Sequence, residues 1–163
     1  MIGSSKHVGV LVGVVIDRDD ETKRGYVKVK FPALGDVVTD WCPVMAPYGG
    51  TGHGHLWVPE VEDQVVVAFQ QGDPAIPIVL GALYSNAVAP PGDKDERIFK
   101  SKTGHKIVLS DKSGEEKIEI TTKNGQTLTL EESSGLVTLK ATTKVRIEAS
   151  MQVEVIAPSI QLG

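Results

Sequence analysis

Seven apolar pairs, each split by a single residue, run through the last third of this 163-residue chain: Ile107/Leu109, Ile118/Ile120, Leu128/Leu130, Val137/Leu139, Val145/Ile147, Val153/Val155 and Ile160/Leu162. Residues two apart share one face of a strand, so each pair marks a short strand with one dry side. The step between pairs shrinks along the chain, through 11, 10, 9, 8, 8 and 7 residues. Near-equal short strands in series predict a fibrous rod rather than a catalytic fold. One chain has little mass left to cover seven one-sided strands, so further copies of the chain are expected to do it.

The remainder has a different texture. Through Pro90 there are six Lys/Arg against ten Asp/Glu, and from Pro91 onward eleven of each. Neither half is a basic surface for nucleic acid. In the second half both signs of charge interleave with apolar residues, as a wet outer face over a dry inner one requires. No run of about eighteen apolar residues occurs, and Met1 to His7 lacks the charged-then-apolar order of a signal peptide. The expectation is a chain made and folded in a bacterial cytoplasm. Cys42 is the only cysteine, flanked by Trp41 and Pro43, and reads as a small buried hydrophobe.

Before the ladder, short strands are expected at Val8 to Asp17, Gly25 to Phe31, Val37 to Met45, His55 to Pro59, Gln64 to Phe69 and Pro77 to Tyr84. Turn residues separate them: Asp19-Asp20, Pro32 to Gly35, Gly49-Gly50-Thr51-Gly52 and Gly72-Asp73-Pro74. About five strands in so short a stretch predict the five-stranded oligosaccharide/oligonucleotide-binding (OB) barrel, with Trp41 and Phe69 in its core. The predicted chain is therefore all-β: an OB barrel over residues 1–90, a proline-stiffened linker over 91–97 and a rod over 98–163.

Hairpin register in the rod follows from parity, because both strands must place their apolar residues on one face. A three-residue loop Lys123-Asn124-Gly125 pairs Ile120 with Leu128 and Ile118 with Leu130, with Gly125 free to take positive φ. Ser113-Gly114 likewise sets Leu109 against Ile118, and Ser133-Ser134-Gly135 sets Leu130 against Val137. The later connections, Ala141-Thr142-Thr143, Ala149-Ser150-Met151 and Ala157-Pro158-Ser159, hold no Gly, Asn or Asp. Tight reversals are not expected there. The chain is expected to stop zigzagging and wind around a shared axis with two other copies, the fourteen ladder residues forming the trimer core. Seven levels at a strand spacing of ~4.8 Å give a rod of about 34 Å.

Several separated segments carry a resemblance. Gly25-Tyr26-Val27-Lys28-Val29-Lys30-Phe31-Pro32, Trp41-Cys42-Pro43-Val44, Pro59-Glu60-Val61-Glu62-Asp63-Gln64-Val65, Phe69 with Gly72-Asp73-Pro74-Ala75-Ile76-Pro77, and Gly81-Ala82-Leu83-Tyr84 resemble, in order, the OB domain of contractile-tail central spikes. These are the phage baseplate assembly protein V family and the valine-glycine-repeat spikes of type VI secretion. The resemblance implies a non-enzymatic homotrimeric spike in a virion tail or injection baseplate, driven across a target cell envelope. Only about seven residues precede Val8, which implies a separate baseplate hub protein at the OB end. Glu62 stands where the family usually has Gly, and Cys42-Pro43 where it has a small residue and Arg. The ladder lacks the regular Val-Gly repeat and resembles a short β-prism. It also lacks a terminal His-x-His, so Ser159, Ile160, Gln161, Leu162 and Gly163 are expected to seat a separate PAAR-type tip protein.

Other chemistries find less support. His53 and His55 have the i, i+2 spacing of metal ligands, but the surrounding glycines read as an exposed loop and no metal is expected. The acidic run Asp17, Asp19, Asp20 and Glu21 reads as a solvated turn beside Lys23 and Arg24, without the contrasting environments a glycosidase pair needs. Neither a nucleophile triad nor a cofactor fingerprint is present, and no cofactor is expected. The alternative is an OB binding module for oligosaccharide or single-stranded nucleic acid, which the acidic first half opposes for nucleic acid.

Overall fold

The computed structural model describes residues 9–85 and 88–161. Val8, the expected start of the first strand, lies outside them. So do Leu162 of the expected trimer core and both Leu162 and Gly163 of the expected tip-binding end. The chain divides into two compact units, Met1–Ala89 and Pro90–Gly163.

The first unit contains β1 (Val10–Asp17), β2 (Lys28–Phe31), β3 (Val37–Val38), β4 (Gly49–Gly50), β5 (His53–Gly54), β6 (Gln64–Phe69) and β7 (Pro77–Leu83). Five of these make a sheet in the order β3-β2-β1-β6-β7, and β4 and β5 form a separate two-residue ribbon. Closure comes from the segment after β3. Cys42 bridges antiparallel to Val27, and Val44 bridges parallel to Val79. The Met45 N–H donates to the Val79 carbonyl at 2.8 Å, and the Val79 N–H to the Pro43 carbonyl at 2.9 Å. A meander whose third strand returns parallel to its last is the OB barrel.

Alternation fills the barrel. Val27, Val29 and Phe31 point inward from the β2 region, Val65, Val67 and Phe69 from β6, and Val15, Cys42 and Val79 complete the core. Each buried valine or phenylalanine contributes about 1.5–3 kcal/mol by leaving water, and the Phe31 and Phe69 rings meet tilted, 6.0 Å apart. Gly13 is required where β1 crosses β2, since an added Cβ would lie 2.2 Å from Val29 Cγ1.

Three expectations need correction. Val37 to Met45 is not one strand: β3 stops at Val38, and the Thr39 hydroxyl replaces a backbone partner by accepting the Val29 N–H at 2.9 Å. His55 to Pro59 is not a strand; the hairpin lies earlier, at β4 and β5, where four glycines obscured it. Trp41 is not a core residue. Adjacent strand residues face opposite ways, and the smaller Cys42 takes the inward place, leaving Trp41 half-buried outside with the Lys28 ammonium 4.6 Å above its ring.

The second unit is a five-stranded antiparallel meander of β8 (Glu96–Lys100), β9 (Lys106–Ser110), β10 (Lys117–Thr121), β11 (Thr127–Glu131) and β12 (Leu136–Lys140). The registers match the parity argument: Ile118 pairs with both Leu109 and Leu130, Ile120 with Leu128, and Leu130 with Val137. Gly114, Gly125 and Gly135 take φ values of 79°, 87° and 64°, as these turns demand. β8 is an addition to the expected ladder, beginning inside the stretch read as linker.

Candidate functional site

β8 to β12 sort their side chains cleanly by face. One face carries two rows across the sheet, Phe99-Ile107-Ile120-Leu128-Leu139 and Arg97-Leu109-Ile118-Leu130-Val137. This face is dry in composition and wet in the single chain: Ile107, Leu109, Ile118, Ile120 and Leu130 are each about two-fifths exposed, Val137 and Leu139 about three-fifths, and Leu128 half-buried. Adjacent apolar residues of this kind on a sheet face mark a surface made to be covered.

The opposite face is finished within the chain. Val108 is 4% exposed and Ser110 8%. Gly92 of the preceding arm packs on Ile98 so closely that an added Cβ would lie 2.4 Å from its Cδ1. Glu119 receives the Thr121 hydroxyl at 3.0 Å and the Lys117 ammonium at 3.3 Å, with Lys106 at 3.7 Å. Partial burial alone would raise its pKa; the Thr121 hydrogen bond and the two ammonium groups outweigh that and hold the carboxyl below its ordinary value. Glu119 is thus an anchored outer-face charge.

Beyond β12 the chain changes character. Residues 141–161 form no strand. Among the described residues, no backbone-to-backbone hydrogen bond joins them to another segment. The apolar pairs nevertheless continue, with Val145 47%, Ile147 70%, Val153 53%, Val155 66% and Ile160 56% exposed. Ser159 and Gln161 are exposed as well. Exposed apolar side chains and a backbone without ladder partners thus continue together past β12.

In the barrel unit, His53 and His55 do not converge. The His53 ring meets Tyr48 tilted, 5.2 Å away, with its Nδ1 3.1 Å from the Thr51 carbonyl, while His55 stacks on Trp57 at 5.9 Å. Among the described residues no group of three His, Cys, Asp or Glu is placed to hold a metal. The acidic run folds into a turn. Asp20 accepts the Thr22 hydroxyl at 2.6 Å and the N–H groups of Thr22, Arg24 and Tyr26, and the Thr22 hydroxyl leads in holding its pKa low. Burial pushes the Cys42 thiol pKa up, and its Sγ donates to the Val27 carbonyl at 3.0 Å, the setting of an inert thiol. Arg18 and Glu60 pair directly and tie the loop after β1 to the segment before β6.

Residues 11–84 match the family model of the type VI secretion system/phage-baseplate injector OB domain. The type VI secretion system spike protein VgrG5 of Pseudomonas aeruginosa is 33% identical over 109 residues, covering 58% of this chain and 14% of its own length. The spike protein VgrG3 of Vibrio cholerae is 29% identical over 108 residues, covering 58% of this chain and 11% of its own length. The actin cross-linking toxin VgrG1 of Vibrio cholerae is 25% identical over 128 residues, covering 68% of this chain and 12% of its own length. This chain therefore spans no more than 14% of the length of these relatives. The closed five-stranded barrel and the family match across it agree: residues 11–84 are an OB domain of the type VI secretion system/phage-baseplate injector kind, and the chain is similar to type VI secretion spike proteins.

Proposed function

We propose that this chain acts without enzymatic activity as the homotrimeric central spike of a contractile injection machine. The observation that carries the reading is the apolar face of β9 to β12, continued by the unpaired pairs of residues 141–161. Two further copies would cover the face and supply the missing ladder, with Ile107, Leu109, Ile118, Ile120, Leu128, Leu130, Val137, Leu139, Val145, Ile147, Val153, Val155, Ile160 and Leu162 at the axis. The outer face needs no cover, because Glu119 and its lysines already form a solvated surface.

Such a rod suits axial force. Separating the copies would expose apolar pairs on all three chains together, at about 25 cal/mol for each Å², and a barrier summed over many levels is slow to cross. The barrel would seat on a baseplate hub protein, and Ser159 to Gly163 would form the platform for a PAAR-type tip. The assembled spike, built in the bacterial cytoplasm, would be carried in a tail or baseplate and delivered across a target envelope. Light scattering of the full chain tests the reading. A mass three times the 17.4 kDa of one chain is expected; a monomer at micromolar concentration would overturn it.

A further inference from the structure

The loop joining the third barrel strand to β6 is unlike the rest of the surface. Between Asp40 and Glu60 the sequence contains no Lys, Arg, Asp or Glu, although 23% of the chain is charged, and both tryptophans fall inside this stretch. Its large side chains face water: Met45 is 55% exposed, Tyr48 60%, Leu56 75% and Trp57 67%. The loop has a defined shape. The β4–β5 ribbon pairs Gly49 with Gly54 and Gly50 with His53, Tyr48 meets the His53 ring at a tilt, and Trp57 stacks on His55. Gly25 lies beneath it, its missing Cβ position 3.2 Å from both Leu56 and Val58.

Topology fixes which end of the barrel it occupies. Val14 and Leu83 both pair with Gln64, and Asp17 pairs with Lys28. The loops 18–27 and 45–63 therefore share the end at which β7 finishes and the chain runs on toward residue 90.

Area decides what can cover the loop. An aromatic side chain buries roughly 150–250 Å², so the exposed parts of Tyr48 and Trp57 together offer roughly 200–300 Å². A free-standing interface buries about 800 Å² on each partner. The patch is too small to capture a partner from solution, and its lack of charge gives no electrostatic steering. It is large enough to add to a contact between molecules that another interface already holds together, where effective concentrations reach the millimolar range.

We propose that the loop from Met45 to Val58 is a second contact between copies of this chain, with Tyr48, Leu56 and Trp57 of one barrel packing against the barrel of a neighbouring copy. The inference rests on the trimer reading, because self-association of residues 96–161 supplies the tether. A photo-crosslinker tests it in the full chain: p-benzoylphenylalanine replaces Leu56 in one variant and Ala75, exposed in the turn at the opposite end of the barrel, in another, with molar mass measured on the same samples. A trimeric mass with chain-to-chain products several-fold more abundant from position 56, mapping to residues 9–85 of the other copy, is expected. A trimeric mass with equal or no products from position 56 would overturn this proposal and leave the trimer standing. A monomeric mass would remove both. Loss of the products when phosphatidylcholine vesicles are added, with co-sedimentation, would assign the loop to a lipid surface instead.

Discussion

Ile120 sits at the middle of the apolar face, on the central strand β10, between Ile107 and Leu128. It is 42% exposed in the single chain. If the chain worked alone, Ile120→Ala would remove a side chain already half in water, and the loss would be about 1 kcal/mol, a part of the 1.5–3 kcal/mol for full burial. If two other copies cover the face, the same change deletes a fully enclosed side chain and leaves a cavity. That costs about 2–5 kcal/mol per chain, and on the order of 6–15 kcal/mol for the trimer. Guanidinium unfolding followed by far-ultraviolet circular dichroism distinguishes the two, run at protein concentrations a hundredfold apart. A trimer should show a midpoint that rises with concentration in both proteins and falls steeply in the variant. A concentration-independent midpoint with a loss of about 1 kcal/mol would refute it.

Thr39→Val should leave the buried Val29 N–H without its acceptor and cost about 1–3 kcal/mol; a thermal midpoint within error of wild type would mean that water or backbone replaces the hydroxyl. Gly25→Ala should destabilise the barrel by about 1 kcal/mol or more, since φ is +73° and the new Cβ would crowd Leu56 and Val58; calorimetry checks it, and an unchanged transition would exclude the crowding. Asp20 has its folded pKa lowered, by the Thr22 hydroxyl first, so its stabilising effect is present above the usual 3.8 and is lost as pH falls through the lower folded value. Stability measured down through that window should fall less for Asp20→Asn than for wild type, and parallel curves would assign the acid sensitivity elsewhere. Cys42 should resist a thiol reagent until the barrel unfolds, and stoichiometric labelling of native protein would contradict its burial.

Where local chemistry and tertiary packing agree, the sequence is legible. β6 has the expected bounds because Val65, Val67 and Phe69 alternate without interruption and Gly72-Asp73-Pro74 ends the run. The rod hairpins were readable because parity and the three turn glycines admit one register. β8 was harder to see: Arg97 occupies an apolar-row position, so Glu96–Lys100 shows no apolar pair at i, i+2. The third barrel strand looked continuous because propensity cannot reveal that the Thr39 side chain will stand in for a backbone partner. Trp41 reads as a core residue by its size, while the parity set by Cys42 turns it outward. The ladder was visible as a pattern, and the exposed aromatic loop was not, because glycines and histidines give no strand or helix period.

The unpaired backbone of residues 141–161 also sets an order of events. The meander before it satisfies its ladders with near neighbours in sequence, each of β8 to β12 pairing with the next, and such contacts form early and quickly. The barrel closes longer loops, as between Val10 of β1 and Ala68 of β6. If the chain trimerises as proposed, residues 141–161 find their ladder only when other copies arrive. In that case each chain folds its barrel and meander alone and leaves one step whose rate depends on protein concentration. A cell making many chains at once drives it forward, whereas a chain made in isolation presents a bare strand edge to whatever it meets first.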